Sequence, residues 1–467
     1  MLTVAALVLV FGAAPSQAAA PLSSDRFVAT ELPDSQVGRQ MGWLIEASAR
    51  LPLSDAEVRA HFTKAFLDSP GASPAEINQI LGTLVDANGL RLLGLLIVEP
   101  TALVAIVTGR DAQQLVLTFA VDATGLIAGA TIDPAAGDSE VTLPEPSGRA
   151  AVGTDLVQLV DRARGGRRLM LTRWYPAATG ARGGGLASYA SPRLTAALGL
   201  PPVRVHARNR ARARRGRLPV VLFSPGLGVS RVVYQALAED LASHGYLVLA
   251  VDHTREALVE FPDGRFAFPS VTPSKDPIAS VSATRVRDLR LILRSLSTMP
   301  KGPLPDRRRI AAMGHSLGGS TAAALMRVES TVRAGIDLDG TIVGAAARSG
   351  IRRPFLALTA AGHWAHDPSL RRFFSHSRGP RLALEVAGFD HFSFSDMPVI
   401  APGSPGVGKR PSARDISLQT TYVRAFLDRY VRDRPSRLLD RPSRRFPRVS
   451  FKYCAGRHLQ IGGSSCP

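Results

Sequence analysis

The segment AAMGHSLGGST at residues 311–321 places Ser316 between two glycines in the pattern Gly-x-Ser-x-Gly. An apolar run typical of a strand precedes this serine, and small residues typical of a helix follow it. A serine exposed on a sharp strand-to-helix turn has a strained backbone, so its neighbours must be nearly free of side chains. The pattern therefore predicts a nucleophilic serine, with the N-terminal end of the next helix directed at the site.

A serine hydroxyl is a weak nucleophile and requires a general base. His391 lies in GFDHFSFSD, directly after the predicted strand RLALEV. That is the position of the base when the chain order is Ser…Asp…His. His363, His366 and His376 precede this strand, and we expect them at the surface or in packing contacts.

The acid that orients the base must lie between the serine and His391 in this chain order. Asp339 in GIDLDGT ends the strand that follows the serine, and we favour it. Asp337 lies two residues earlier on the same strand, so the two carboxylates share a face. Asp367 follows the next strand and remains an alternative.

An oxyanion hole needs two backbone N–H groups. One is predicted at Leu317, the residue after the serine, and the other at Leu227 in the loop SPGLGVS. Glycines on either side of Leu227 would let the backbone approach a substrate closely. The alternative is that this loop is only a tight turn.

The chain divides into two regions that differ in their pattern of predicted helices and strands. Residues 21–143 show helical periodicity followed by strands, which is typical of a small α+β domain. From Leu218 onward, continuous apolar strands alternate with helices, which indicates a mostly parallel sheet with helices on both faces and hence the α/β class. The predicted segments are a signal peptide at 1–20, the α+β domain at 21–143, a linker at 144–152, the catalytic domain at 153–435 and an Arg/Pro-rich tail at 436–467.

Four segments together resemble the monomeric type of the platelet-activating-factor acetylhydrolase family, within the α/β-hydrolase superfamily. They are LFSPGLGVSRVVYQALAEDLASHGYLVLAVDH, GHSLGGST, GIDLDG and GFDHFSFSD, and the resemblance covers roughly residues 169–431. Pro225 stands where that family usually has a histidine, so the resemblance does not imply a particular substrate. The first domain resembles steroid-isomerase-like or cystatin-like modules in its element order and in the phrase DATGLI.

The resemblance implies an α/β-hydrolase fold and a serine esterase that needs no metal or organic cofactor. It assigns the nucleophile to Ser316, the acid to Asp339 and the base to His391. It assigns the two oxyanion amides to Leu227 and Leu317. The expected substrate is a small-molecule or lipid ester.

The composition adds little to this function. The chain has 57 Lys and Arg against 38 Asp and Glu, a net charge of +19, and we attribute most of this bias to overall composition. No zinc-finger or RNA-binding pattern accompanies it, so we expect no nucleic-acid partner. We keep contact with an anionic envelope surface as an alternative role for this charge. The basic run at 204–217 is expected to be a solvated, flexible insertion, with a basic helical face as the alternative.

The apolar run MLTVAALVLVFGAAPSQAAA has the length of a secretory signal with a small-residue cleavage site. We therefore expect an exported, secreted or cell-envelope protein, with an uncleaved N-terminal anchor as the alternative. In an oxidising compartment, Cys454 and Cys466 would form a disulfide that closes a small loop. The two cysteines and His458 lack a fourth zinc ligand, so no metal site is expected.

These observations predict an exported serine ester hydrolase that acts through an acyl-enzyme. An acyltransferase would use the same residues but exclude water from the acyl-enzyme. A wall- or lipid-binding protein on the same fold is the alternative from another class.

Overall fold

The computed structural model describes residues 26–69, 71–137, 139–180, 184–270, 277–403, 406–407 and 412–455. These residues form two compact units. The first contains the described parts of Met1–Val141, Ala190–Val203 and Leu258–Pro273, and the second contains the other described residues. The sequence predicted one linear boundary at 144–152, whereas two later segments of the chain belong to the first unit.

The elements are numbered in chain order. The helices are α1 (Gln36–Ala47), α2 (Asp55–His61), α3 (Lys64–Leu67), α4 (Pro74–Leu84), α5 (Pro192–Ala197), α6 (Gln235–Ser243), α7 (Pro277–Ser295), α8 (Leu317–Val328), α9 (Gly344–Ser349), α10 (His363–His366), α11 (Pro368–His376), α12 (Met397–Ile400) and α13 (Ala413–Val431). The strands are β1 (Arg91–Glu99), β2 (Ala102–Thr108), β3 (Gln114–Val121), β4 (Ile127–Pro134), β5 (Val141–Thr142), β6 (Val152–Asp161), β7 (Arg167–Pro176), β8 (Leu186–Ser188), β9 (Val203–Asn209), β10 (Arg217–Ser224), β11 (Leu247–Asp252), β12 (Val259–Glu260), β13 (Phe266–Ala267), β14 (Leu304–His315), β15 (Val332–Leu338), β16 (Phe355–Ala360), β17 (Arg381–Val386) and β18 (Val449–Ala455).

The first unit has helices followed by an antiparallel sheet in the order β1-β2-β3-β4, so the predicted α+β class is confirmed. Helix α4 begins at a capping box, in which Ser73 and Glu76 exchange hydrogen bonds. Alternate strand residues such as Leu103 and Leu117 share a core with Met41 and Leu44 of α1. The period of two places them on one face of the sheet.

The second face of this sheet explains why a later segment joins the first unit. Strand β2 is buried along its whole length, so both of its faces are covered. Helix α5 packs against β1 and β3, and Arg193 donates to the Leu96 carbonyl. The β12–β13 hairpin is also attached, because the backbone N–H of Phe266 donates to the Glu99 carboxylate. An apolar strand without alternation indicates such double burial but not what provides it.

The second unit is built on a sheet that runs in the order β18-β17-β16-β15-β14-β10-β11-β7-β6-β9. The six strands from β17 to β11 are parallel, and β7, β6 and β18 pair antiparallel at the two sides. The predicted mostly parallel sheet with helices on both faces is confirmed. Residues that follow the carboxyl ends of parallel strands meet at one edge, where α/β folds bind ligands.

Helices α7, α8 and α11 share one hydrophobic core with the sheet, because each presents an apolar stripe toward it. Leu289, Leu325 and Phe373 belong to this core, together with Ile310 and Ala312 of β14. The final helix α13 packs against α6, β14 and β15. The core thus fixes the strands whose ends carry the candidate site.

One prediction of irregular structure is wrong. The basic run at 204–217 begins as β9, in which Val205 and Ala207 are buried while Arg204 and Arg208 point outward. This alternation is the signature of a half-buried strand, and the arginines concealed it. The predicted Arg/Pro-rich tail also contains a strand, β18, which pairs antiparallel with β17 at the side of the sheet.

Two expectations fall on residues outside the described ranges. The signal peptide at 1–20 lies there, and so does Cys466, the predicted disulfide partner of Cys454. Among the described residues, no helix combines the length and the apolarity needed to cross a bilayer.

Phe355 of β16 offers a test of the second core. Its ring is fully buried and lies 4.8 Å from the ring of Phe373, centroid to centroid. We expect Phe355→Ala to lower the free energy of unfolding by about 3 to 5 kcal/mol, because it leaves a cavity. Val328→Ala, at a side chain 57% exposed, should change it by less than about 0.5 kcal/mol. Urea denaturation of both variants measures the difference, and equal effects would contradict this packing.

Candidate active site

Ser316 occupies the turn between β14 and α8. Its backbone has φ +55° and ψ −124°, a region that non-glycine residues rarely adopt. The Ser316 N–H donates to the Leu338 carbonyl at 2.8 Å, which ties the turn to the end of β15. The predicted strained turn is therefore present, and the half-buried serine lies at the N-terminal end of α8.

The glycines around Ser316 allow close backbone packing. A Cβ atom at Gly318 would overlap the carbonyl oxygen of Ser224, and one at Gly319 would overlap the Asp337 carboxylate. A Cβ atom at Gly314 would likewise collide with Gly318. Any side chain at these positions would push the turn away from its neighbouring strands.

Asp339 follows β15, and its carboxylate faces two histidines. One oxygen, Oδ2, accepts from Nδ1 of His391 at 2.7 Å. The other, Oδ1, accepts from the backbone N–H of Ala360 at 2.7 Å and lies 2.8 Å from Nδ1 of His363. Asp339 is 4% exposed, and its backbone has φ +54°, in the left-handed region that Asp tolerates.

These partners keep the Asp339 carboxylate ionised. Burial alone would raise the pKa of Asp339, but its hydrogen bonds to His363 and His391 hold that pKa well below the usual range. A carboxylate bound to Nδ1–H of His391 leaves Nε2 of that ring as the basic nitrogen. This is the arrangement that a general base requires.

Asp337 lies beneath the turn, in a different environment from Asp339. It is fully buried, and its Oδ2 accepts from the Gly340 N–H at 3.2 Å. Burial raises the pKa of Asp337 well above its usual value, which favours the neutral acid. The spacing predicts that Asp337 and Asp339 share one face of β15. Asp339 has a left-handed backbone, however, so its carboxylate does not point in the direction that strand alternation would give.

His363 at the start of α10 connects two of the candidate acids. Its Nδ1 faces Asp339, and its Nε2 lies 3.2 Å from Oδ2 of Asp367. Asp367 in turn caps α11, because its Oδ1 accepts from the Leu370 N–H at 2.9 Å. Asp367 therefore approaches Asp339 through His363.

The three histidines between Asp339 and β17 differ in placement. His366 and His376 are exposed and bond to carbonyls of Gly362 and Arg372, as expected for surface residues. Sequence reasoning missed the contact of His363 with Asp339. The available signal was its position just after β16, which neighbours the strand that carries Asp339.

His315, the residue before the serine, is completely buried and links two parts of the site. Its Nε2–H donates to the His391 carbonyl at 2.9 Å, so its Nδ1 accepts from the Tyr234 hydroxyl at 2.9 Å. Burial and the nearby His391 lower the pKa of His315 to about 3, so the ring is neutral. The ring of His315 also lies 4.5 Å from that of His391, which places His391 next to the turn.

The loop after β17 that carries His391 is anchored at its far end by Asp396. The carboxylate of Asp396 accepts from the backbone N–H groups of Gln235 at 2.8 Å and Ala236 at 3.1 Å, at the start of α6. It also accepts from the Tyr189 hydroxyl at 2.9 Å. Together with the end of β17, these bonds hold the loop on both sides of His391.

The two predicted oxyanion donors lie at neighbouring strand ends. Leu317 is the first residue of α8, and Leu227 lies in the loop after β10, whose partner in the sheet is β14. Leu227 is half-buried and Leu317 is 8% exposed. Among the described residues there is no group of three or more His, Cys, Asp or Glu side chains that could hold a metal ion.

The raised pKa of His363 has a measurable consequence. Burial lowers that pKa, but hydrogen bonds to Asp339 and Asp367 outweigh burial and raise it from 6.5 to about 10. Between these values the folded protein holds a proton that the unfolded chain has released, so stability falls as the pH rises through this window. The slope should be at most about 1.4 kcal/mol per pH unit, measured by urea denaturation.

The variant His363→Gln should lack this slope, and His366→Gln should retain it because the ring of His366 is exposed. The contribution of Asp339 does not interfere, since a lowered carboxyl pKa affects stability only in acid. The same slope in His363→Gln as in the wild type would contradict the assignment.

Comparison with known proteins places this geometry in a family. A sequence model described as platelet-activating factor acetylhydrolase, isoform II, matches residues 187–260 and 295–409. A second, described as ORF 12 gene product N-terminal, matches residues 32–127. The steroid-isomerase-like or cystatin-like resemblance of that first segment stays a prediction.

Individual relatives agree with the first match. A ferulic acid esterase from Streptomyces cinnamoneus has a similar structure, with a TM-score of 0.61 and 36% identity over 68% of this chain and 100% of that one. A probable 1-alkyl-2-acetylglycerophosphocholine esterase of Arthroderma benhamiae is 29% identical over 50% of this chain and 66% of that protein. The platelet-activating factor acetylhydrolase of Cavia porcellus is 26% identical over 46% and 58%.

The chain therefore spans less than two thirds of the length of these two curated relatives. The motifs, the parallel sheet and the solved esterase agree on the same architecture, so the predicted resemblance is confirmed. The chain is therefore a platelet-activating-factor acetylhydrolase-like α/β-hydrolase.

Proposed function

We propose that the protein is a serine hydrolase of carboxylic esters, with Ser316 as nucleophile, His391 as general base and Asp339 as the acid that orients the base. One observation carries the proposal. The imidazole of His391 is hydrogen-bonded through Nδ1 to a buried carboxylate, and its ring lies 4.5 Å from that of His315, the residue before a serine held at positive φ on a strand-to-helix turn.

In the first half of the reaction, Oγ of Ser316 attacks the ester carbonyl carbon while Nε2 of His391 takes its proton. The carbonyl oxygen becomes an oxyanion, which accepts hydrogen bonds from the N–H groups of Leu227 and Leu317. Asp339 remains ionised and stabilises the imidazolium of His391. The tetrahedral intermediate then collapses, the C–O bond to the alcohol breaks, and His391 returns its proton to the leaving alkoxide.

In the second half, His391 removes a proton from water, and the hydroxide attacks the acyl carbon bound to Ser316. The same two N–H groups receive the second oxyanion. Its collapse breaks the ester to Ser316, and His391 returns the proton to Oγ. The products are a carboxylic acid and the free enzyme, and the cycle uses no other co-reactant.

The names of the relatives suggest the substrates to compare. One relative is named for ferulic acid esters, and the others are named for an acetyl ester of a glycerophosphocholine. We therefore assign to this chain small-molecule or lipid esters as the substrate class. A panel of acetyl, feruloyl and long-chain p-nitrophenyl or methyl esters, with an acetylated glycerophosphocholine, ranks these groups by kcat/KM.

Ser316→Ala and His391→Ala should each lower kcat by at least about 10⁴-fold, because either change removes the activated nucleophile. Asp339→Asn should lower kcat by about 10³- to 10⁴-fold, because the base loses its orienting carboxylate. Asp367→Asn is the matched control, since Asp367 contacts His363 instead of His391, and its kcat should fall less than about tenfold. Hydrolysis of a p-nitrophenyl ester measures all four variants.

A fluorophosphonate probe provides an independent readout of the nucleophile. The wild type should be labelled on the peptide that contains Ser316, and Ser316→Ala should not be labelled. Equal ester hydrolysis by the wild type and Ser316→Ala would overturn the proposal and favour a binding protein on this fold. Ester formation with an added alcohol, at the expense of free acid, would indicate an acyltransferase.

We propose in addition that the protein is exported and that its signal is removed after Ala18 or Ala20. The apolar run and the small residues that follow it support this assignment. Expression in a secreting bacterial host should place the protein in the culture supernatant, with an N-terminus at Ala19 or Pro21 by peptide sequencing. Retention in the membrane fraction with an intact N-terminus would favour the anchor instead.

A further inference from the structure

We propose that Arg285 of α7 is a positioning residue for the oxyanion hole. Its guanidinium fixes two successive peptide groups, Pro225–Gly226 and Gly226–Leu227, and the second of these contains the Leu227 N–H. This inference rests on the proposed function, because it concerns how one of the proposed oxyanion donors is aimed. The side chain of Arg285 is buried and donates hydrogen bonds to the loop after β10.

Arg285 is 1% exposed, yet all of its donor capacity is used. Its Nη1 donates to the Pro225 carbonyl at 2.7 Å and to Oγ of Ser224 at 3.4 Å. Its Nη2 donates to the Gly226 carbonyl at 3.0 Å, and Nε donates to Glu256 at 2.7 Å. The second Nη2 hydrogen faces the same Glu256 carboxylate at 2.6 Å, which completes the five donors of a guanidinium.

Because the peptide group is planar, the hydrogen bonds that hold its carbonyl also fix the direction of its N–H. The Gly226 carbonyl and the Leu227 N–H belong to one trans peptide, so they point in opposite directions. Because Arg285 holds the carbonyl on the side of α7, the N–H of Leu227 is directed to the other side of the loop. A rotation of this peptide would break the bond to Arg285.

The preceding peptide is fixed at both ends. Its carbonyl, on Pro225, is bound by Arg285, and its N–H, on Gly226, donates to the Tyr234 hydroxyl at 3.3 Å. The same hydroxyl donates to His315, the residue before the proposed nucleophile. The oxyanion loop and the nucleophile turn are therefore held by one set of buried hydrogen bonds.

An arginine suits this position better than a lysine would. The planar fork can reach two successive carbonyls and still pair with Glu256, whereas an ammonium group is a point donor on a flexible stem. The ion pair with Glu256 also neutralises a charge that would be expensive to bury alone. A fixed donor needs no reorganisation when the oxyanion forms, and this is how such donors lower the barrier.

The test is Arg285→Lys, assayed with an oxygen ester and with the matching thionoester. We expect kcat for the oxygen ester to fall about 10- to 100-fold, with KM changed less than about threefold, because the donor acts on the transition state. Sulfur is a poor acceptor for N–H groups, so the thionoester rate should fall much less. The rate for the oxygen ester divided by the rate for the thionoester should therefore drop about tenfold. A general loss of structure would lower both rates equally and leave this ratio unchanged.

Two variants serve as controls. Arg287→Lys changes an exposed arginine two residues along the same helix and should leave both rates unchanged. Glu256→Gln removes the charge partner but keeps the bonds from Arg285 to the two carbonyls, so it should retain most of the activity. If Arg285→Lys does not fold, the same assay is applied to a double variant that combines Glu256→Gln with Arg285→Gln and so replaces both charges of the pair.

The outcomes separate this inference from the proposed function. Absence of Ser316-dependent hydrolysis in the wild type would overturn the proposed function itself. Ser316-dependent hydrolysis in the wild type, with an unchanged ester-to-thionoester ratio in folded Arg285→Lys, would overturn only the role of Arg285. An equal loss in Glu256→Gln and Arg285→Lys would also overturn it, since the charge pair alone would then explain the effect.

Discussion

Close packing of backbone against backbone at the turn between β14 and α8 is the constraint on which the rest of the second unit depends. The positive φ of Ser316 is maintained because Gly318 touches the end of β10 and Gly319 lies against Asp337 of β15. A strained residue persists only when its surroundings over-determine it. Here three adjacent parallel strands and one helix meet within a few atoms. The turn at Ser316, the loop after β10 and Asp339 are therefore positioned around one closely packed junction.

Charge at the site follows from burial and from the number of hydrogen bonds each group receives. Asp337 and Asp339 are close in sequence and both buried, but only Asp339 is bound to two imidazoles and a backbone N–H. Burial therefore favours the neutral form of Asp337, while hydrogen bonding favours the ionised form of Asp339. His363 adds a positive charge next to Oδ1 of Asp339, whereas His391 binds Oδ2. The charge of His363 therefore acts on the same carboxylate as His391.

The site is also held from outside the strand ends. His315 connects the base to Tyr234, and Asp396 connects the base loop to the start of α6. The proposed role of Arg285 extends this pattern to the loop after β10, so three loops are fixed by buried side chains that need not touch a substrate. Such support explains how loops, which are usually the mobile parts of a fold, can hold reacting groups within a fraction of an ångström.

The sequence by itself determined the fold class and the strand-to-helix turn at Ser316. Continuous apolar strands that alternate with helices indicate a parallel sheet covered on both faces, and Gly-x-Ser-x-Gly between a strand and a helix indicates a sharp turn that exposes the serine. Strand order, however, depends on pairing between distant segments. Only the tertiary structure decided that Asp339 faces His391, that His363 binds the same carboxylate, and that Arg285 reaches the oxyanion loop. Local patterns do not encode contacts between residues tens of positions apart.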